Sequence, residues 1–182
     1  MAGSSAGALD SGVGARVLGT VLTWMQEKHS PVFVFATAND VTALPPELLR
    51  KGRFDEMFSV DLPTRREREE ILGIHIRRLG RGHLIDNKTI DLKHFSKDAT
   101  RGFSGAEIEA GIVEALYAAF DTNSDLNAME LQDAFDSTQP LSKTMAEKIN
   151  AIRAWCAVRT RPANEEEQQE APAIPTGRQV QA

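Results

Sequence analysis

The chain has 182 residues, 41% of them hydrophobic, enough to bury one core or parts of two. Its 26 acidic and 21 basic residues leave a formal net charge of -5, which gives no basic footprint for nucleic acid. The single cysteine, Cys156, excludes an internal disulfide and suits a reducing, cytoplasmic setting, and no apolar run reaches the ~20 residues that cross a bilayer.

Residues 1–14, MAGSSAGALDSGVG, have neither the basic nor the apolar region of a signal peptide and predict a flexible loop. Val17, Leu18, Val21, Leu22 and Met25 then recur at helical spacing and predict an amphipathic helix over roughly 14–28. Pro31 stops it. The β-branched and aromatic run VFVFAT, residues 32–37, predicts a strand buried on both faces, as in a parallel sheet. After Asn39 and Asp40 the chain turns, Pro45-Pro46 opens a short helix PELLRK, and Gly52 ends it. MFSVDL, residues 57–62, predicts a second strand closed by Pro63.

Thr64-Arg65-Arg66-Glu67 is a capping box, so a helix should follow through about Leu79, burying Ile71, Leu72 and Ile76, with Gly80 and Gly82 after it. A shorter helix is expected over Leu92–Lys97. Ser104-Gly105-Ala106-Glu107 is a second capping box, predicting a helix through about Phe120 with Ile108, Ile112, Val113 and Leu116 inward. Helices over roughly 127–136 and 141–158 complete the pattern, and the apolar-poor remainder from Arg161 is expected to be disordered. No internal repeat is present. The expected fold class is therefore α/β followed by all-α: a partial α/β piece over 1–63, a helical bundle over 64–160 and a tail over 161–182. Two strands alone do not make a stable parallel sheet, so the first piece reads as incomplete.

The stretch VFVFATANDVTALPPELLRKGRFDEMFSVDLP resembles the second region of homology of AAA-family ATPases. The family pattern of a buried strand, Pro-x-Leu-Leu-Arg, Gly-Arg-Phe-Asp and a strand ending Asp-Leu-Pro is present in order. The departure is Ala-Thr-Ala before Asn39, where many members have Ala-Ala-Thr. Glu70 to His75 and Gly102 to Ile108 are similar to the helical lid of the same family. The resemblance covers roughly 10–158, and TMAEKINAIRAWCAVR is similar to a bacterial and plastid AAA subgroup of unassigned role. It implies the C-terminal part of a P-loop NTPase α/β domain, followed by the lid.

Several residues then have two readings. Asn39, at the end of a strand, suits either a turn cap or the family's sensor-1 position, where an amide orients water or senses the γ-phosphate. Arg50 and Arg53 flank Gly52 and can project planar, permanently charged groups, or meet Glu47, Asp55 or Glu56 on the surface. The resemblance makes them arginine fingers acting in trans on the ATP of the adjacent subunit in a hexameric ring. His75 is either a packing residue or, by resemblance, a neighbour of the nucleotide's ribose. Gly105 and Ala106 would let backbone approach the adenine or phosphates. Ala106 stands where many relatives of the wider superfamily carry arginine, and Arg101 is too early to replace it.

His29, His83 and His94 lack metal-ligand spacing, so no metal site is expected. Arg65, Arg66 and Arg68 alternate with acids and read as a solvated helix face. Cys156 reads as packed, and Trp24 and Trp155 as core or subunit contacts.

No G-x-x-x-x-G-K-[ST] occurs in these residues, nor a strand ending Asp-Glu for magnesium. By resemblance both elements precede the matched segment, Met1 falls just after the magnesium strand, and Asp10 to Val13 form a second pore-facing loop. ATP with magnesium is then a cofactor of the complete enzyme, whose protein substrate the sequence does not name. Three arrangements remain open: a segment of a full ATPase, a non-enzymatic module docking on a partner ATPase, or half of a split enzyme. The chain by itself is expected to hydrolyse ATP no faster than a blank. A magnesium-dependent turnover abolished by Arg53→Ala or Asn39→Ala would overturn this.

Overall fold

Two Ser/Thr-x-x-Glu sequences decide where the helical part starts, and both act as their chemistry requires. The computed structural model describes residues 6–27, 29–41, 44–50 and 52–164. Within them the chain is mostly helical, with one two-stranded sheet. It divides into two units. One contains the described residues up to Phe58 together with Ala154–Arg161; the other runs from Ser59 to Arg153 and resumes at Pro162.

In the first unit, α1 covers Ala6–Glu27. The expected loop, including its proposed pore-facing portion, is thus corrected: residues 6–14 are helical. The helix runs through Gly7, Gly12 and Gly14 although each costs about 1 kcal/mol in propensity. Residues 1–5 lie outside the described residues. The expected strand over 32–37 is absent as well, with Phe33 92% and Phe35 81% exposed. A strand hydrophobic on both faces needs pairing neighbours, and none joins it among the described residues.

The described part of the expected helix PELLRK, residues 46–50, is a turn rather than a helix, and Lys51 lies outside the described residues. Leu48 donates to the Pro45 carbonyl at 3.0 Å and Leu49 to that of Pro46 at 3.2 Å. Gly52 then takes φ +91°, a left-handed conformation open to glycine. The second expected strand shrinks to β1, Phe58–Ser59.

The partner of β1 is β2, Arg161–Pro162. Arg161 N–H donates to Met57 O at 2.9 Å and Ala163 N–H to Ser59 O at 2.8 Å, an ascending, parallel register. Proline at 162 has no N–H to extend that ladder. The expected disorder from Arg161 therefore does not hold for Arg161–Asn164, where the N–H groups of Arg161 and Ala163 and the side-chain amide of Asn164 are bonded; residues 165–182 lie outside the described residues.

The second unit is built on α2 (Arg65–Arg78) and α5 (Gly105–Asp121), each with a complete capping box. Gly80, at φ +75°, follows α2. A short α3, His83–Asp86, was not foreseen. The expected helix at 92–97 is α4, Leu92–His94, running into a π-helical turn, Phe95–Ala99. There Thr100 sends both its N–H and its hydroxyl to the Phe95 carbonyl, at 3.1 and 2.8 Å. Asn127 caps α6, Ala128–Ser137. The last expected helix is broken at Met145 into α7, Leu141–Thr144, and α8, Ala146–Ala157.

One core fills this unit: Leu72 and Ile76 of α2, Phe95 of the π-helical turn, Phe103 just before α5, Ile108 and Ile112 of α5, and Leu131 and Phe135 of α6. Phe103 meets Phe135 edge-on, with centroids 5.8 Å apart. Arg68 is the main surprise. It is buried, not solvated, and donates to Ser96 O from Nε and Nη2 and to Pro63 O from Nη1, at 3.2, 2.8 and 2.7 Å. Its position four residues before Leu72 puts it on the inward stripe, and carbonyls waiting there satisfy its charge.

No helix among the described residues is long and apolar enough to cross a membrane. A Cβ on Gly111 would lie 2.5 Å from Cε1 of Phe135. Gly111→Ala is therefore expected to destabilise the helical unit by about 1–3 kcal/mol, despite alanine's higher helix propensity. Urea unfolding checks this, and Gly111→Ala with Phe135→Leu should recover part of the loss.

Candidate functional site

Three of the residues singled out from sequence, His75, Gly105 and Ala106, lie on adjacent helices of the second unit. On α2, Ile71 and His75 are one turn apart; on α5, Gly105 and Glu109 are one turn apart. The Cβ position of Gly105 lies 3.8 Å from Cδ1 of Ile71. One turn further on, Nδ1 of His75 lies 3.4 Å from Oε1 of Glu109. The two rows advance together, so His75 sits one turn from the start of α5. Its side chain is largely covered, while Ala106 is exposed. Arg78 Nη1 approaches the same Glu109 oxygen at 3.5 Å.

The start of α5 is held rigidly. Glu107 Oε2 accepts from the Ser104 N–H at 2.8 Å and from its hydroxyl at 2.7 Å, and Ser104 Oγ accepts from the Glu107 N–H at 3.3 Å. The second carboxylate oxygen accepts from the Leu141 N–H at 2.7 Å, tying α7 to the same point. Burial pushes the Glu107 carboxyl up, but the Ser104 and Leu141 donors outweigh it and hold it below the usual range. What this leaves is a fixed helix N-terminus. The N–H groups of its first turn have no intrahelical acceptor, and its positive dipole end suits an anion.

A second polar cluster sits before α2. Asp61 accepts from Arg153 through both carboxylate oxygens, at 2.8 Å from Nη2 and from Nε. The Asn164 amide accepts from the Asp61 N–H at 2.7 Å and donates to Glu67 at 3.1 Å. Burial raises the Asp61 carboxyl, yet Arg153 and the Leu62 N–H bring it below its ordinary value. For Glu67 the Thr64 N–H is the largest cause of a downward shift.

In the first unit, Asn39 lies exposed in a bend and Arg50 is exposed at the end of the Pro45–Arg50 turn. Arg53 is half-buried, its guanidinium against Gln26, whose amide oxygen accepts from both Nη atoms when turned toward them. Among the described residues neither arginine forms an ion pair with Glu47, Asp55 or Glu56, and Glu56 pairs instead with Arg161 at 3.4 Å. Sequence reasoning missed Glu109 as the partner of His75, although their helical periods could have suggested two facing rows. It also missed Asn164 and Arg153, which reach Asp61 across about a hundred residues with no local signal, the Asn164 contact spanning 103.

A family model described as "ATPase family associated with various cellular activities (AAA)" matches residues 1–62. The AAA domain-containing protein ycf46 of Gracilaria tenuistipitata var. liui is 47% identical over 146 residues, covering 80% of this chain and 29% of that protein. The proteasome-activating nucleotidase of Aeropyrum pernix is 40% identical over 99 residues, 54% of this chain and 23% of its own length. The ATP-dependent zinc metalloprotease FtsH of Caldicellulosiruptor bescii is 33% identical over 156 residues, 80% of this chain and 24% of its own length. The chain thus spans less than a third of the length of these relatives.

Because the Glu107 carboxyl is held low in the folded state, its stabilisation is fully present above the ordinary value of 4.5 and lost as pH falls through the lowered one. Glu107→Ala should cost about 1 kcal/mol at neutral pH, the typical worth of a helix cap, and flatten the acid limb of stability against pH. Parallel acid limbs for the variant and the parent protein would contradict this role.

Proposed function

Since this chain belongs to the AAA family of ATPases, we propose that it supplies the hydrolysis-sensing and lid part of an ATP-hydrolysing module. The observation that carries the reading is the α2–α5 juxtaposition: a half-buried histidine one turn from a rigidly capped helix start that exposes small residues. Gly105 and Ala106 allow backbone N–H groups to approach a phosphate or base edge, and His75 flanks the ribose. Asn39 orients the attacking water or senses the γ-phosphate. Arg50 and Arg53, set apart by the turn at Gly52, reach the nucleotide of the neighbouring subunit in a ring.

Chemically, ATP hydrolysis asks the protein for positioning and charge neutralisation rather than covalent work. An amide near the γ-phosphate holds water in line. A guanidinium from next door stabilises charge as the bond to the leaving oxygen lengthens, and its planar fork suits three equatorial oxygens better than an ammonium does. Such a finger is worth ~10³–10⁵ in rate. Magnesium, when bound with the nucleotide, would supply further charge neutralisation on the phosphates, and none of the residues named above is proposed to hold it. The complete protein would use this cycle to remodel a macromolecule.

The test uses full-length rings in which this segment follows a P-loop and a magnesium-binding strand. Arg53→Ala rings should lose ATPase activity by ~10³-fold or more, as should rings whose P-loop lysine is replaced. Mixing the two inactive proteins should restore turnover, because some interfaces then combine an intact P-loop with an intact Arg53 from next door. No recovery on mixing, with assembly intact by sedimentation, would place the arginine in cis or outside the reaction.

A further inference from the structure

Helix α5 carries a second apolar stripe that its own core does not use. Ala110, Val113, Tyr117 and Phe120 follow at spacings of three, four and three. This is the 3.5-residue repeat that keeps a seam turned toward a partner helix. At 3.6 residues per turn they fall opposite the buried stripe of Ile108, Ile112, Ala115 and Ala119. Val113 is half-buried and the others are exposed, Tyr117 at 72% and Phe120 at 81%. Aromatic neighbours at i and i+3 make a contiguous apolar surface, unlike a scattered exposed leucine.

Along α5 and the segment that follows it, the charged side chains are of one sign. From Gly102 to Ser142 the chain has eight Asp and Glu residues and no Lys, Arg or His, while the whole chain carries only -5. Glu107 is used in capping, Glu109 lies against His75 and Arg78, and Asp125 against Arg81 and His83. Glu114 and Asp121, which flank the stripe on α5 itself, are exposed and form no ion pair among the described residues.

We propose that the outer face of α5, from Ala110 to Phe120, is a docking site for a basic amphipathic helix of a partner protein. The partner's apolar residues at i, i+3, i+4 and i+7 seat on Tyr117 and Phe120, and its flanking Lys or Arg residues meet Glu114 and Asp121. The charge selects this occupant. A second copy of α5 would set these acids against their own kind, and the same field repels nucleic acid and anionic membranes. The aromatic end of the surface is also distant from the helix start at Ala106, because 1.5 Å of rise per residue places Phe120 about 20 Å along the axis.

The full chain is titrated with a fluorescent synthetic helix bearing leucines at i, i+3, i+4 and i+7 and lysines on both flanks. Saturable binding is expected, weakening as salt rises. Tyr117→Ala/Phe120→Ala should weaken it by about tenfold or more. Glu114→Lys/Asp121→Lys should weaken it similarly and flatten the salt dependence. A peptide with the same leucines and glutamate flanks should not bind. Each variant is exposed at the altered positions, so an unchanged thermal midpoint verifies its fold. Equal binding by the aromatic double variant, or equal binding of a scrambled lysine peptide, would overturn the proposal. So would dimerisation of the free chain abolished by Tyr117→Ala/Phe120→Ala, which would give the face to a second copy.

Discussion

The inner face of α5 must be covered from two sides at once, and the rest of the helical unit is arranged to do it. Ile108, Ile112, Ala115 and Ala119 are fully buried. From one side α2 supplies Leu72 and Ile76; from the other α6 supplies Leu131 and Phe135. Phe135 reaches its place only because residue 111 has no Cβ. A glycine inside a helix costs about 1 kcal/mol in propensity, and here aromatic packing against the backbone offsets it. With that contact made, the start of α5 is fixed relative to α2, so the position of His75 beside Glu109, one turn from Gly105, follows from packing in the core.

Polar groups then lock what the core has positioned. Each major helix starts in a reciprocal capping box, and in both the glutamate reaches further: Glu107 to the Leu141 N–H, Glu67 to Asn164. These carboxylates therefore join segments distant in sequence as well as ending helices. Arg68 does the same from inside. Its guanidinium satisfies the carbonyls of Ser96 and Pro63, fixing the π-helical turn and the residues before α2 to a single helix. A buried arginine is tolerable there because its donors are matched to carbonyl oxygens, the condition for burying charge without a large penalty.

On these two proposals α5 would take two further roles with one sequence. Its start combines a strong cap with small residues, which suits a nucleotide-facing helix. Its outer side combines apolar residues at a heptad-like spacing with acids, which suits a helix that receives another helix. Tyr117 and Phe120 lie about three to four turns beyond Ala106, so the two roles would be separated along the axis.

The sequence by itself determined α2, α5 and α6 to within about a residue, but not α3, the π-helical turn or the break at Met145. The Thr64 and Ser104 caps, the glycine after α2, and the 3.6-residue recurrence of Leu72, Ile76, Ile108 and Ile112 are local signals, and local hydrogen bonds and burial answer them. It also held the ordered motif by which the chain is similar to AAA ATPases. Tertiary structure decided the rest, for a stated reason in each case. Residues 32–37 have strand composition, but pairing depends on neighbouring strands and cannot be read from one segment. Arg68 looked solvated among alternating charges, yet its place on the inward stripe and two distant carbonyls drew it inside. Arg161–Asn164 lacked apolar residues and still became ordered, because backbone and amide bonds to Met57, Ser59 and Asp61 reward ordering without a side-chain core. Local periodicity encodes which face is buried; it does not encode which distant backbone groups will be waiting there.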